Sequence, residues 1–446
     1  MNNIYIYLGA YILLLIIISF IISRKQTKED FLISGRNRPG WQILASKFAG
    51  AIGVGYFITY TGFAYEYGFG VFAMLIGIVL GYFTFAYWAS PKIYEHSKKN
   101  KFYTMGDFVY HKTKSRFTLK LTNIVSSLIL FSWLLIGIVG GGKIIADIGL
   151  LSYSWAVILT SLVVLSYIYL AGFKAVIITD VIQSIIIGIL LIIVTFSIIG
   201  SESIPELLSV QTGNTDIITA IGFLLFGLLS LFSFINMYQL SYAAKSKRKL
   251  KHGLGMSVIP ILIVAFFLLL IGLFMAKNVS GLDSGLVFTE ALKNFLPSSI
   301  LPLAIVLFFA GIMSSADTNV YGISSHYALS KRELKNPIST TRKSIFILMA
   351  IVTIIALIFS DIIDVSIVTG AISLTLSFPM IYLLLNKNNK GRFIGSVIGG
   401  LIGFIGALIY FGPEPILAIP ILLGSLVGLL FKSKTKEKDL GVEFKF

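Results

Sequence analysis

Long, nearly uncharged apolar runs recur along the chain and constrain its fold more than any other feature. Of the 446 residues, 56% are hydrophobic and only 13% are charged, whereas a soluble domain has about 25% charged residues. Runs of about 20 apolar residues cross a bilayer as helices. Thirteen such runs are found, at 3–23, 43–66, 69–91, 121–147, 153–171, 176–199, 217–241, 253–276, 298–330, 344–360, 364–385, 393–411 and 414–431. The pattern predicts an all-α polytopic membrane protein in a lipid bilayer and excludes a soluble enzyme.

Lysine and arginine are distributed unevenly between alternate connecting segments. With the N-terminus outside, 32 of the 36 Lys and Arg residues fall in cytoplasmic segments, and only Lys277 and Lys293 lie in outside segments. Because cytoplasmic loops carry such an excess, we expect a multi-pass protein of the cell membrane with its N-terminus outside and its C-terminus in the cytoplasm. This rule accounts for most of the net charge of +16, so no nucleic-acid partner is expected.

Two carboxylates, Asp180 and Asp317, lie inside predicted spans. A charged side chain at the centre of a membrane helix costs about 2.5–3.5 kcal/mol on insertion scales. Each is therefore a candidate functional residue. The sequence has no cysteine, so disulfides and thiolate metal sites are excluded.

The ninth span carries a polar stripe around Ser314. At about 100° per residue, one face holds Gly311, Ser314, Ser315, Asp317 and Thr318. Oxygen ligands without His or Cys suit an alkali cation. The stripe predicts two overlapping cation sites, the first formed by the Gly311 carbonyl with Ser314 and Ser315, and the second by Ser314, Asp317 and Thr318. Close helix packing through small residues is the alternative.

The second span, LASKFAGAIGVGYFITYTGFAYEYG, is rich in glycine, with Gly50, Gly53, Gly55, Gly62 and Gly68. Glycine-rich segments at membrane depth predict an unwound helix whose free carbonyls line a cavity. Such carbonyls could complete a cation site with the ninth span. A small-residue packing face is equally compatible with the pattern.

Several stretches resemble the sodium:solute symporter family, which includes sodium-coupled proline, sialic acid and sugar transporters. They are DFLISGRNRPGW, the glycine-rich second span, AGFKAVIITDVIQ, NMYQLSYAAKSKRKL and GIMSSADTNVYGISS, and the likeness runs over roughly residues 5–430. GIMSSADT is the most specific, being similar to the family pattern A-x-M-S-T-A-D-S.

The resemblance implies a leucine-transporter-like fold of ten core helices in two inverted five-helix repeats, with one leading and two trailing helices. It implies a single transmembrane transporter domain over 1–446. Its parts are the leading helix 3–23, the core 43–385, the trailing helices 393–431 and a cytoplasmic tail 432–446.

The resemblance also implies Na⁺ as the coupling ion. One sodium site would use the Ala49, Ile52 and Gly311 carbonyls with the Ser314 and Ser315 hydroxyls, and a further site would use Asp180 with Ser314, Asp317 and Thr318. The solute would lie between broken core helices, and the candidate lining residues are Ser46, Tyr56, Tyr60, Trp133, Ser233, Asn236 and Gln239.

The chain departs from the family pattern around Lys47. Some members have an aspartate where Ala51 aligns, and the Gln-Arg pair of many members lacks its arginine after Gln239. Lys47 lies two residues before Ala49. Its ammonium could occupy the sodium site, which would favour proton coupling or no coupling, or its side chain could extend toward the cytoplasm from the start of the helix. We favour the second interpretation.

The function expected from these features is sodium-coupled symport of a small organic solute by alternating access. An amino acid or a monocarboxylate is the first choice of solute. The alternatives are a proton-coupled or uncoupled transporter in which Lys47 replaces sodium, and a transporter-like membrane sensor. An enzyme is not expected, because the four histidines have no metal-ligand spacing and neither Asp180 nor Asp317 has a nearby base. The sequence leaves the oligomeric state open.

Overall fold

The protein is helical throughout the part that the structure describes. A computed structural model of the chain describes residues 2–24, 27–147, 149–200, 202–210, 216–329, 336–358 and 362–433. Within these ranges, helices and turns are accompanied by a single isolated β-bridge between Arg38 and Ala244. The all-α class is confirmed. The predicted tail 432–446 lies outside the described residues from position 434 onward.

The described α-helices are numbered α1 to α21. Those of the first half are Asn2–Ser23 (α1), Lys28–Ile33 (α2), Gly40–Ala51 (α3), Val54–Tyr67 (α4), Phe72–Thr84 (α5), Ser90–Asn100 (α6), Met105–Thr113 (α7), Arg116–Asp147 (α8), Tyr153–Ile199 (α9) and Ile204–Leu208 (α10). Those of the second half are Ile217–Leu229 (α11), Ile235–Ala243 (α12), Lys247–Met256 (α13), Val258–Asn278 (α14), Val287–Phe295 (α15), Leu301–Leu329 (α16), Pro337–Ile358 (α17), Ile363–Leu374 (α18), Ser377–Leu384 (α19), Lys390–Phe411 (α20) and Ala418–Gly428 (α21).

In the described part of the chain, fewer helices are long and apolar enough to cross a membrane than the thirteen spans that the sequence predicts. Nine helical segments of the described chain are long and apolar enough to cross a membrane, and a bent pair raises the number to ten. Two shorter apolar helices, Tyr153–Ser166 and Pro415–Gly428, fall below the length required. The thirteen spans are therefore not confirmed, because broken and kinked helices divide or merge the apolar runs.

Two helices are broken where their backbones leave helical geometry. Between α3 and α4, Ile52 has φ −96° and ψ 81°, and Gly53 has φ −99° and ψ 175°. Between α11 and α12, a 3₁₀ turn at Ser230–Ser233 is followed by Phe234 in an extended conformation, and the two parts are bent by 48°. These are the first helices of the two expected repeats, and broken helices of this kind form the central sites of many transporters.

A sharp kink divides α9 at Gly172. This residue has φ 60° and ψ −170°, and a Cβ atom placed there would lie 2.4 Å from the Phe31 ring. Glycine suits this position because it accepts a positive φ and has no Cβ atom that would clash with the ring. The kink separates the expected fourth core helix from the fifth, and the fifth carries Asp180. The leading helix α1 packs against α9 and α16.

Candidate cation and solute sites

The broken end of α3 lies against the polar stripe of α16. The Ser314 hydroxyl donates to the Ala49 carbonyl at 2.9 Å and to the Gly311 carbonyl at 3.2 Å. The Ser315 hydroxyl donates to the same Gly311 carbonyl at 3.1 Å. The Ala49 carbonyl also accepts a hydrogen bond of 3.1 Å from the Ile52 backbone N–H. Because α3 ends at Ala51, the ladder of helical hydrogen bonds stops here, and a carbonyl oxygen of its last turn can accept from other groups as well.

Ile52, the remaining member of the predicted sodium site, lies at the same place, and Gly53 follows it. A Cβ atom on Gly311 would lie 3.4 Å from the Ile52 carbonyl oxygen, and one on Gly53 would lie only 2.3 Å from the Ser315 hydroxyl. The structure thus brings together three carbonyls and two hydroxyls from α3 and α16. Such a set of neutral oxygen donors suits a small alkali cation. We name it the α3–α16 cluster: Ala49, Ile52, Gly311, Ser314 and Ser315.

The two membrane carboxylates lie beside this cluster and are fully buried. Asp180 Oδ2 accepts a hydrogen bond of 2.6 Å from the Ser46 hydroxyl. Its Oδ1 atom has no hydrogen-bond partner among the described residues. The Thr318 hydroxyl lies 3.5 Å from Asp317 Oδ1. Because a buried carboxylate oxygen without a donor is costly, Asp180 fits the role of a cation ligand.

Tyr11 of the leading helix also belongs to this region. Its hydroxyl accepts a hydrogen bond of 3.2 Å from the Gln183 amide, and Gln183 follows Asp180 by three residues on α9. Sequence reasoning missed Tyr11 because it treated the leading helix as separate from the core. The pattern of residues within α1 does not indicate which of its faces packs against α9.

A cavity of about 170 Å³ lies next to the α3–α16 cluster and includes Ser315 in its wall. Four of the predicted solute residues line it, namely Tyr56, Tyr60, Trp133 and Asn236. The rings of Tyr56 and Tyr60 are stacked with centroids 3.9 Å apart. Trp133 Nε1 and Asn236 Oδ1 are buried without a hydrogen-bond partner in the described part of the chain. Unpaired polar atoms on an aromatic wall are suited to a small polar solute.

The other three predicted solute residues point elsewhere and do not line this cavity. Ser46 donates to Asp180 and so belongs with the carboxylates. The Ser233 hydroxyl donates to the Ser373 carbonyl. The Gln239 amide donates to the Ser325 hydroxyl at 3.0 Å. These three side chains contact neighbouring helices instead of the cavity.

Sequence reasoning also missed several polar residues of the cavity wall. Asn319 of α16 lines it, as do Thr59 and Ser366, whose hydroxyls are 2.9 Å apart. Asn319 follows Ser315 by four residues, so it lies on the same helical face. The helical projection that identified the stripe could therefore have found Asn319. Thr59 and Ser366 meet across α4 and α18, which no single-helix pattern indicates.

Lys47 is buried, with 2% of its surface exposed, and lines the cavity. Its ammonium lies 5.6 Å from the centre of the Tyr82 ring and 5.7 Å from that of Phe234. The interpretation that Lys47 extends toward the cytoplasm is therefore wrong. Residues two positions apart on a helix are separated by about 200°, so Lys47 and Ala49 lie on opposite faces of α3. Lys174, the lysine nearest to Asp180 along the chain, pairs with Asp30 at 3.1 Å.

The fold and the central sites define the class of protein to which the chain belongs. A bundle of apolar helices, two of them broken at mid-length beside a buried cavity, is the architecture of a multi-pass membrane transporter. The family model "sodium:solute symporter family" matches residues 31–399. The chain belongs to the sodium:solute symporter family.

Individual relatives agree with this assignment. The chain is 28% identical over 211 residues to a sodium/pantothenate symporter of Haemophilus influenzae, covering 44% of the chain and 43% of the relative. It is 24% identical over 240 residues to a sodium/proline symporter of Staphylococcus aureus, covering 51% and 46%. The alignments thus span less than half the length of these curated relatives.

A solved structure matches nearly the whole chain. It is a Na⁺-coupled sialic acid symporter in a substrate-bound, outward-open state, with a TM-score of 0.76 and 17% sequence identity, covering 96% of this chain and 98% of that one. At this identity the likeness concerns the fold, and it confirms the leucine-transporter-like architecture.

Proposed function

We propose that the protein is a secondary active transporter that couples the movement of a small organic solute to Na⁺ by alternating access. The observation that carries the proposal is the convergence of the Ala49 and Gly311 carbonyls on the Ser314 hydroxyl, at the break between α3 and α4. The family membership supports Na⁺ as the coupling ion. In this account Asp180 and Asp317 supply the charge for a second cation beside the first.

The solute would occupy the aromatic cavity. The wall offers unpaired polar atoms of Trp133 and Asn236, and Ser315 connects it with the α3–α16 cluster. An ion bound at that cluster would hold the α3–α4 break in one geometry, and this is how ion occupancy would favour solute binding. A small amino acid or monocarboxylate is our choice of solute. A transport role, not an enzymatic one, accounts for every site described.

Transport is tested with the purified protein in proteoliposomes, using labelled proline, pantothenate, sialic acid and simple monocarboxylates. An inward sodium gradient should drive accumulation of one of these solutes above the level reached with an equal potassium gradient. Equal uptake under both gradients would reject sodium coupling. It would then favour a proton-coupled or uncoupled transporter of the same fold.

The proposed orientation places the N-terminus outside and the C-terminal tail in the cytoplasm. The distribution of 32 of 36 Lys and Arg residues over alternate segments supports it. Single cysteines are informative because the chain has none. In intact cells, a membrane-impermeant thiol reagent should label Lys293→Cys and leave Lys438→Cys unlabelled until the membrane is opened. Labelling of Lys438→Cys in intact cells would contradict the orientation.

A further inference from the structure

Lys47 is the one charged residue on the described wall of the aromatic cavity. Its side chain is 2% exposed. Its ammonium faces the rings of Tyr82 and Phe234, and it makes no hydrogen bond or ion pair within the described ranges. Attraction to ring faces compensates only a small part of the penalty for burying an ammonium. A buried ammonium without a counter-charge is therefore suited to binding an anionic ligand.

The carboxylates of the membrane region do not supply that partner. Asp180 accepts from Ser46, and Asp317 lies next to Thr318. Neither aspartate lines the cavity, and no carboxylate oxygen of the described chain lies within 4.0 Å of the Lys47 ammonium. The cavity wall is thus cationic at one point and otherwise neutral.

The rest of the wall indicates what an anionic ligand would look like. Trp133 Nε1 is a buried donor without a partner in the described part of the chain, and it lines the same cavity as Lys47, so the wall offers an anion a neutral donor besides the ammonium. The stacked rings of Tyr56 and Tyr60 offer a flat surface for an apolar body. The described wall contains no acidic side chain that would pair with a substrate ammonium.

We infer that Lys47 binds the carboxylate of the transported solute, so that the cavity selects small organic anions with an apolar body over their neutral or cationic analogues. This inference rests on the proposed function, because it assigns a ligand class to the proposed solute cavity. It makes Lys47 a specificity-determining residue and removes it from the sodium site.

The test compares carboxylic acids with their own amides. The probes are benzoate, phenylacetate, 4-methylpentanoate and pantothenate, each paired with its neutral carboxamide, and benzylamine represents cations. Binding to the purified full chain is measured as ligand-dependent thermal stabilisation, in sodium and in potassium. We expect at least one carboxylate to stabilise the protein, and its amide to bind about tenfold more weakly because a charge-assisted contact is lost.

The variants identify the responsible charge. Lys47→Met keeps most of the side-chain volume and should lose the preference for the acid over the amide, whereas Lys47→Arg should retain it. Lys143→Met is the matched control, since Lys143 lies on α8 but does not line the described cavity wall. It should keep the preference of the unmodified protein.

The opposite results would overturn the inference. They are equal stabilisation by acids and amides, stabilisation by none of the acids, or a preference for the acid that survives in Lys47→Met. If Lys47→Met fails to fold, the acid–amide comparison in the unmodified protein and in Lys47→Arg decides the outcome. Sodium coupling is judged separately. A lysine-dependent preference without any effect of sodium would refute the proposed coupling and leave the ligand assignment in place.

Discussion

Replacing Ser314 with alanine should weaken sodium binding by about tenfold or more. The Ser314 hydroxyl lies between the Ala49 and Gly311 carbonyls, so it is at the centre of the α3–α16 cluster. The contact between a hydroxyl oxygen and a cation is an ion–dipole interaction, and we take its strength as comparable with that of a hydrogen bond to a charged group, about 1.5–3 kcal/mol. About 1.4 kcal/mol corresponds to a factor of ten in affinity. The measurement is the sodium concentration that gives half of the maximal thermal stabilisation of the purified protein.

Ser184→Ala provides the matched control for this substitution. The Ser184 hydroxyl donates only to the Val181 carbonyl of its own helix, at 2.7 Å. Its removal should leave the sodium dependence unchanged. Because Ser314→Ala also removes a contact between α3 and α16, the melting temperature without sodium is recorded as well. An unchanged sodium affinity in Ser314→Ala would place the ion elsewhere.

Replacing Gly53 with alanine should disrupt the same cluster sterically. The added Cβ atom would lie 2.3 Å from the Ser315 hydroxyl and 2.7 Å from its Cβ. The Ser315 side chain is too short to move aside, so α3, α4 and α16 must separate. Overpacking of this kind costs about 1–3 kcal/mol. We expect a lower melting temperature together with loss of sodium-dependent stabilisation.

Gly188→Ala separates the steric effect from the general effect of adding a methyl group. Gly188 lies within α9, and a Cβ atom there has no neighbour within 4 Å. Alanine is favoured over glycine in a helix by about 0.5–1 kcal/mol, so this variant should be as stable as the parent or more stable. A Gly53→Ala protein that binds sodium normally would show that the α3–α16 contact is irrelevant to the ion.

The stripe on α16 could be predicted from the sequence because it depends on the geometry of one helix. The projection at about 100° per residue identifies Ser314, Ser315 and Thr318. The structure places Ser314 and Thr318 against α3 and Ser315 against Gly53. An unwound second span is one of the two interpretations that its glycine-rich sequence allows, and the structure places the break at Ile52 and Gly53. Both features are local, so one stretch of chain contains the necessary information.

The remaining features depend on how helices face one another. Ser46 and Lys47 are adjacent in sequence, yet Ser46 donates to Asp180 on α9 and Lys47 faces Tyr82 on α5. Ser233 and Gln239 belong to the broken helix formed by α11 and α12, but their hydrogen-bond partners lie on α18 and α16. Which neighbour a helical face meets is set by packing between distant segments, and a pattern within one segment does not contain it.

The central claim is that sodium binds at the break between α3 and α4. Equilibrium binding of radioactive sodium to the purified protein tests it most directly, with the double variant Ser314→Ala/Ser315→Ala beside the unmodified chain. The account predicts saturable binding that unlabelled sodium displaces and potassium does not, and a large loss of that binding in the double variant. Absence of saturable binding in the unmodified chain, or equal binding in both proteins, would contradict it.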